Sequence, residues 1–204
     1  RGLGDVYKRQ VYAYMKHFAL NDQEGNRNCM VATWSNEQAI REIYLKPFEM
    51  SVKDADCHAV MSSFNYIGNR WAGGCSELLQ NVLRGEWGFL GFVETDYFGV
   101  YGYMTADQAV RNGGDLMLCT TGNDYNNVTV LTNSSKQAMR TSAKNILYTV
   151  VNSRAYEAEN LNPGMAKWKV ILIGADVVAA LLIVGLEYTA IKNYKKRKEE
   201  EEEV

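Results

Sequence analysis

Two carboxylates, Glu94 and Asp96, stand at the end of the stretch Glu86-Trp-Gly-Phe-Leu-Gly-Phe-Val-Glu-Thr-Asp-Tyr97. Glycines punctuate the approach to the apolar run Phe89–Val93, and the run stops at Asp96. A short apolar run after glycines reads as a buried strand of a parallel sheet rather than a helix. In barrels and doubly wound sheets, groups at the carboxyl ends of such strands face the ligand crevice. Asp96 can therefore work on a bound molecule, or it can simply cap the element that follows. Lys16 and His17 stand near the end of another strand-like run, Val11–Leu20, which also carries Tyr12, Tyr14, Met15 and Phe18.

The elements that must position these groups alternate. After the first run comes a polar loop, residues 21–28. A capping box, Ser35-Asn-Glu-Gln38, then opens a helix with Ala39, Ile40, Ile43, Tyr44 and Phe48 at helical spacing, and Pro47 should kink or end it. Ala59–Phe64 is a second strand, followed by Asn65 and a glycine-rich loop (Gly68, Gly73, Gly74). A helix through Leu78, Leu79, Val82 and Leu83 leads to the third strand. Thr105–Asn112 is a short helix, Leu116–Leu118 a fourth strand, and Ser134–Ser153 an amphipathic helix. Strands alternating with helices imply parallel βα units. Four such units amount to half of a (β/α)8 barrel, which takes about 250 residues. The expected fold is thus α/β, the C-terminal half of a TIM-type barrel, with the preceding half absent and open sheet edges.

Bulk composition narrows the possible partners. The 204 residues include 22 Lys and Arg against 24 Asp and Glu, so no general attraction to nucleic acid follows. Four scattered cysteines without CxxC spacing suit neither a zinc site nor a disulfide framework and read as packing thiols. Two histidines are too few for a histidine-rich metal centre, and no metal or cofactor is expected. Residues 1–10 are expected to be a basic leader, non-native or unstructured; 11–160 to hold the barrel portion, and 161–169 to be a linker. Residues 170–191 are almost wholly apolar, broken by Asp176, and long enough to span a bilayer. An aspartate there costs on the order of 3 kcal/mol, which the surrounding Leu, Ile and Val offset. Trp168 precedes the span, while Lys192, Lys195, Lys196, Arg197 and Lys198 follow it. That asymmetry sets residues 192–204, a basic and then acidic tail, in the cytoplasm and the barrel outside the cell. The alternative is a buried helix of a soluble protein.

Several long motifs lie in a recognisable order: Lys16-His-Phe-Ala-Leu-Asn-Asp-Gln-Glu24 with Arg27, Arg41-Glu-Ile-Tyr-Leu-Lys-Pro-Phe-Glu49, Val60-Met-Ser-Ser-Phe-Asn65, and Leu83-Arg-Gly-Glu-Trp-Gly-Phe running to Asp96. Over residues 11–154 the chain resembles glycoside hydrolase family 3. Asn69-Arg-Trp-Ala-Gly-Gly74 and Asn112-Gly-Gly-Asp-Leu-Met117 are similar to its membrane-anchored members from Gram-positive bacteria. The resemblance implies a retaining β-glycosidase acting on β-glucosides or β-xylosides of oligosaccharides, with Asp96 as the catalytic nucleophile. It also implies Lys16 and His17 as ligands of sugar hydroxyls, the Lys charge favouring the carboxylate form of Asp96. Met61 is implied in the subsite wall. Phe64 replaces a common Tyr, and Tyr97 a common Trp, beside the sugar. Glu24 and Arg27 read as loop braces. Glu94 points the same way as Asp96 but one layer deeper, where it should be paired or protonated. The chain lacks the Lys-His-Phe-Pro-Gly-His-Gly motif of the hexosaminidase branch, so the general acid is expected on a sandwich domain outside this chain. By that reading the chain is a fragment, inactive by itself. The competing reading is an inactive, membrane-tethered glycan-binding homologue.

Overall fold

The structure is a computed structural model that describes residues 12–97, 101–119, 124–153 and 164–202. The chain divides into two units, Arg1–Glu157 and Ala158–Val204.

In the first unit, β1 (Tyr14–Phe18), β3 (Ala59–Ser62) and β6 (Phe92–Glu94) form a parallel sheet in the order β1-β3-β6. Val60 is flanked by Met15 and Val93, and Met61 by Glu94. All four residues of β3 are buried, as expected of a central strand covered on both faces. The connections are helical. Between β1 and β3 lie α1 (Glu37–Ala39), a π-helical turn (Ile40–Tyr44) and α2 (Lys46–Lys53). A small second sheet joins β2 (Ala32–Thr33), β4 (Tyr66–Ile67) and β5 (Arg70–Trp71). The π-helix Glu77–Glu86 then leads back to β6. Beyond β6 come α3 (Ala106–Arg111) and α4 (Asn133–Val151).

Several expected boundaries shift, each for a local reason. The helix after the first loop is capped by Asn36, not Ser35: the Asn36 carboxamide oxygen accepts from the Ala39 amide at 2.8 Å. Gln38 turns instead to Glu42 at 3.3 Å. Pro47 does not end the helix. It sits in the first turn of α2, where a missing N–H goes unnoticed. The third strand begins at Phe92 rather than Phe89, because the Phe89 amide still bonds back to Leu83 O at 3.2 Å. Gly91 brings the chain so close to β3 that a Cβ there would lie 2.0 Å from His58 O. The fourth strand shrinks to one parallel bridge, Glu94 with Leu116. Val11, the expected start of the first strand, lies outside the described residues. Of the cysteines, only Cys75 is buried, whereas Cys29 is exposed.

Two clusters fill the core. Phe18 packs edge-on against Phe48 and Trp87, with ring centres 5.1 and 5.8 Å away, above Leu79, Leu83, Val60 and Val93. Phe64, Trp71, Met104 and Ala109 form the second cluster. A buried ionic node ties the helices to β6. The Asp115 carboxylate accepts from Arg84 Nη2 at 2.6 Å, the Val93 amide at 2.8 Å and Asn145 Nδ2 at 3.0 Å. Arg84 also donates to Gly91 O at 2.8 Å. Burial pushes the Asp115 carboxyl up, against the downward pull of Arg84 and of those donors.

The second unit contains α5 (Lys167–Glu202), one unbroken helix. Its stretch Lys167–Lys198 has a mean hydropathy of 2.4 in its most apolar window, long and apolar enough to cross a membrane. The expected linker and tail are therefore helical in part: residues 167–169 and 192–202 continue the apolar stretch as helix without a break.

Candidate active site

The carboxyl ends of the parallel strands gather the candidate groups. Thr95 fixes the exit of β6: its amide donates to Leu116 O at 3.0 Å and its hydroxyl accepts from the Leu118 amide at 3.1 Å. Asp96 follows, with its side chain only 10 % exposed. Oδ1 accepts from the Tyr97 amide at 2.7 Å. Oδ2 is buried, 3.3 Å from His17 Nε2 and 3.5 Å from Arg27 Nη1. These are ion-pair distances without hydrogen-bond geometry. The exit of β1, which carries His17, is pinned to the exit of β3 by polar contacts. The Ser63 amide donates to Phe18 O at 3.0 Å and its hydroxyl to Ala19 O at 3.1 Å. Asn65 Nδ2 reaches Ala19 O at 3.2 Å and Thr33 Oγ1 at 2.9 Å.

Arg27 is the group that reading the sequence undervalued. It does brace its loop, with Nε 2.9 Å from Glu24 Oε2. Its guanidinium also lies over the Phe64 ring, 4.8 Å from the centroid, and against the Asp96 carboxylate. The signal available was its place in the Lys16–Arg27 motif. Phe64 is buried, its carbonyl accepting from Tyr103 Oη at 3.0 Å, with the Tyr101 ring edge-on at 5.6 Å. Burial, and then the neighbouring Tyr66, push the Tyr103 hydroxyl well up.

The other expected residues are distributed unevenly. Tyr97 stands at the shoulder of Asp96, 40 % exposed. Met61 is buried opposite Glu94, two residues short of the Asp96 level. Lys16 is exposed on β1, and among the described residues it forms no ion pair with Asp96 or any other carboxylate. Glu94 accepts a hydrogen bond from the Tyr14 hydroxyl, and burial pushes its carboxyl up. Burial and then the Glu94 charge push Tyr14 up as well. Among the described residues no group of His, Cys, Asp and Glu is arranged to hold a metal ion.

The constellation is thus a buried aspartate at the end of a parallel strand, faced by an imidazole from β1, the strand beyond β3, and by a guanidinium from the loop that follows β1. Comparison with known proteins gives it a setting. The glycosyl hydrolase family 3 N terminal domain matches residues 2–147. The chain belongs to glycoside hydrolase family 3. Among curated family relatives, beta-glucosidase B of Emericella nidulans is 44% identical over 106 residues, covering 52% of this chain and 12% of that protein. A beta-glucosidase of Rhizobium radiobacter is 40% identical over 114 residues, 56% of this chain and 13% of its own. Among solved structures, beta-glucosidase 3B from Thermotoga neapolitana in complex with glucose shares 31% identity at a TM-score of 0.61, over 74% of this chain and 22% of that one. A beta-glucosidase from Paenibacillus barengoltzii shares 30% identity at a TM-score of 0.63, over 76% and 18%. Over the compared part, the α/β fold is that of family 3 β-glucosidases, and the chain spans about an eighth of the length of these curated relatives.

Proposed function

We propose that this chain carries the nucleophile of a retaining β-glycosidase that removes terminal β-D-glucosyl or β-D-xylosyl residues from oligosaccharides. One observation carries the reading: Asp96, at the carboxyl end of β6, is held beside His17 and Arg27. In a retaining mechanism one carboxylate attacks the anomeric carbon to form a glycosyl-enzyme. A second group, about 5–5.5 Å away, protonates the leaving oxygen. We assign that second role to a group outside the described residues, since Glu94 is engaged with Tyr14 one layer down. His17, Tyr97 and the Phe64 ring supply donors and apolar surface for a sugar. Lys16, although it forms no ion pair here, remains within the same strand as a donor to a hydroxyl. The parallel order β1-β3-β6, with Leu116 bridged beyond β6, is consistent with consecutive staves of a (β/α)8 barrel, its C-terminal half in the sequence reading. We further propose that α5 anchors the protein in the cell membrane in the manner of Gram-positive members, with the catalytic unit outside and the basic end of the helix in the cytoplasm.

The test exploits leaving-group chemistry. A dinitrophenolate departs without protonation, so a 2,4-dinitrophenyl 2-deoxy-2-fluoro-β-glucoside needs a nucleophile but no acid. The fluorine then slows breakdown of the ester. Intact protein should gain one fluoroglucosyl group, mapped to the peptide containing Asp96, and Asp96→Asn should gain none. A label on Glu94, or labelling that survives in Asp96→Asn, refutes the assignment. Glucoside binding with no label at all supports the glycan-binding reading instead.

A further inference from the structure

Between residues 170 and 191, where α5 is almost wholly apolar, its two carboxylates are not scattered around it. At about 100° per residue, Lys169, Asp176, Glu187 and Tyr194 fall along one stripe of the helix, with Ala179, Ala180, Ile183 and Ala190 flanking them. The opposite side carries Gly174, Val178, Leu181, Leu182 and Gly185, and its charged residues, Lys167 and Lys192, stand beyond the two ends of the apolar stretch. Thr189, which falls on that far side, returns its hydroxyl to Leu186 O at 2.8 Å. The two carboxylates, Asp176 and Glu187, are about three turns apart, roughly 16 Å along the axis. Both are exposed, and among the described residues no cation pairs with either. Lys169, the nearest basic residue on the stripe, is about two turns away from Asp176.

Acidic side chains at membrane depth are costly unless they meet a partner or water. Small residues let a neighbouring helix approach closely. Ala179 and Ala180 sit one turn from Asp176 on the same side, and Ala190 one turn from Glu187. The far side has two glycines as well, but nothing there needs a polar partner. A stripe that collects both carboxylates, each beside an alanine, meets protein, while the far side meets lipid. The charges then choose the occupant. A second, parallel copy of this chain would set Asp176 against Asp176 and Glu187 against Glu187. A different helix with a basic residue at each of those depths would satisfy both. We propose that the Asp176–Glu187 stripe docks a second membrane-spanning helix, from another protein, that carries Lys or Arg at these two depths. The proposal rests on the membrane reading of α5 given above.

The full chain, labelled with a donor fluorophore after Val204, is reconstituted in phosphatidylcholine vesicles with acceptor-labelled polyleucine peptides. One peptide carries two lysines three turns apart on one face, placed symmetrically about its centre so that either orientation fits. A second carries the same two lysines on opposite faces, and a third carries none. Energy transfer to the first should exceed transfer to the others by about tenfold, the scale of one interhelical polar contact. It should fall to their level in Asp176→Asn/Glu187→Gln. Equal transfer to all three peptides overturns the proposal, as does self-association of the labelled chain that the double substitution abolishes. Release of the chain from the vesicles by carbonate overturns the membrane reading and the docking proposal with it; retention without selective transfer overturns the docking proposal alone.

Discussion

Gly91 offers the sharpest test of how β6 is seated. An added Cβ would lie 2.0 Å from His58 O, 2.4 Å from His58 C and 2.7 Å from His58 Cα. All three are backbone atoms of the residue before β3, so no side chain can swing aside. Relief requires β6 to back away from β3 by about an ångström, which parts the Phe92 amide from His58 O, now 3.2 Å away. A buried hydrogen bond left unmade costs about 1–3 kcal/mol, and overpacking about 1–3 kcal/mol more. Gly91→Ala should therefore lose about 4 kcal/mol, a large part of a total stability of about 5–15 kcal/mol. At about 2–4 °C per kcal/mol for a domain of this size, the melting temperature should drop by about 10 °C. Near-ultraviolet circular dichroism in detergent is the appropriate assay, because the buried Trp71 and half-buried Trp87 report the first unit. Gly25→Ala is the control. Its Cβ would meet only Gln23 Nε2, at an ordinary 3.7 Å, so it should stay within about 0.5 kcal/mol of the parent. If the two alanine variants melt together, the close approach of β6 to β3 is wrong.

Three other outcomes are expected. Arg84→Met strips the charge partner from Asp115, whose side chain is 1% exposed, and should cost about 3–5 kcal/mol in urea unfolding; an unchanged midpoint would mean the node contributes nothing to stability. Burial raises the Glu94 carboxyl, so the folded state binds that proton more tightly than the unfolded chain, and its contribution is present below the ordinary carboxylate range and lost as pH rises through the raised value. Glu94→Gln should accordingly gain on the parent as pH rises above the ordinary carboxylate range of about 4, and a gain confined to acid would reverse the sign. Protease applied to intact protoplasts should remove the first unit and spare a tag placed after Val204, whereas digestion of the tag would invert the orientation.

Local chemistry was legible in the sequence and tertiary chemistry was not. Thr105 caps α3, with its hydroxyl accepting from the Gln108 amide, as its position before an apolar periodic run suggests. The cap at Asn36 slipped by one residue because Ser and Asn side chains compete for the same role, and only the backbone decides between them. Arg84 reads from sequence as a charged helix end, yet its partner Asp115 is 31 residues away. Gly91 reads as turn punctuation, while its actual reason is the backbone of a strand distant in sequence. In the site, His17 and Asp96 could be matched by motif. Lys16 stands next to His17 in sequence but does not share its approach to Asp96, a difference set by the backbone at the end of β1.

The seat of Arg27 latches the approach to Asp96. Its guanidinium rests between the Phe64 ring and Asp96 Oδ2, with Glu24 holding it from outside. Glu24 is largely exposed, so that ion pair contributes about 0–1 kcal/mol, and the contact with the ring about 0.5–1 kcal/mol. A latch held by about 0.5–2 kcal/mol is open roughly one time in three to one in thirty. Any ligand that must touch Oδ2 then binds with an apparent dissociation constant raised by that factor. Loosening Glu24 would tighten binding from a distance, without touching a single atom of the ligand.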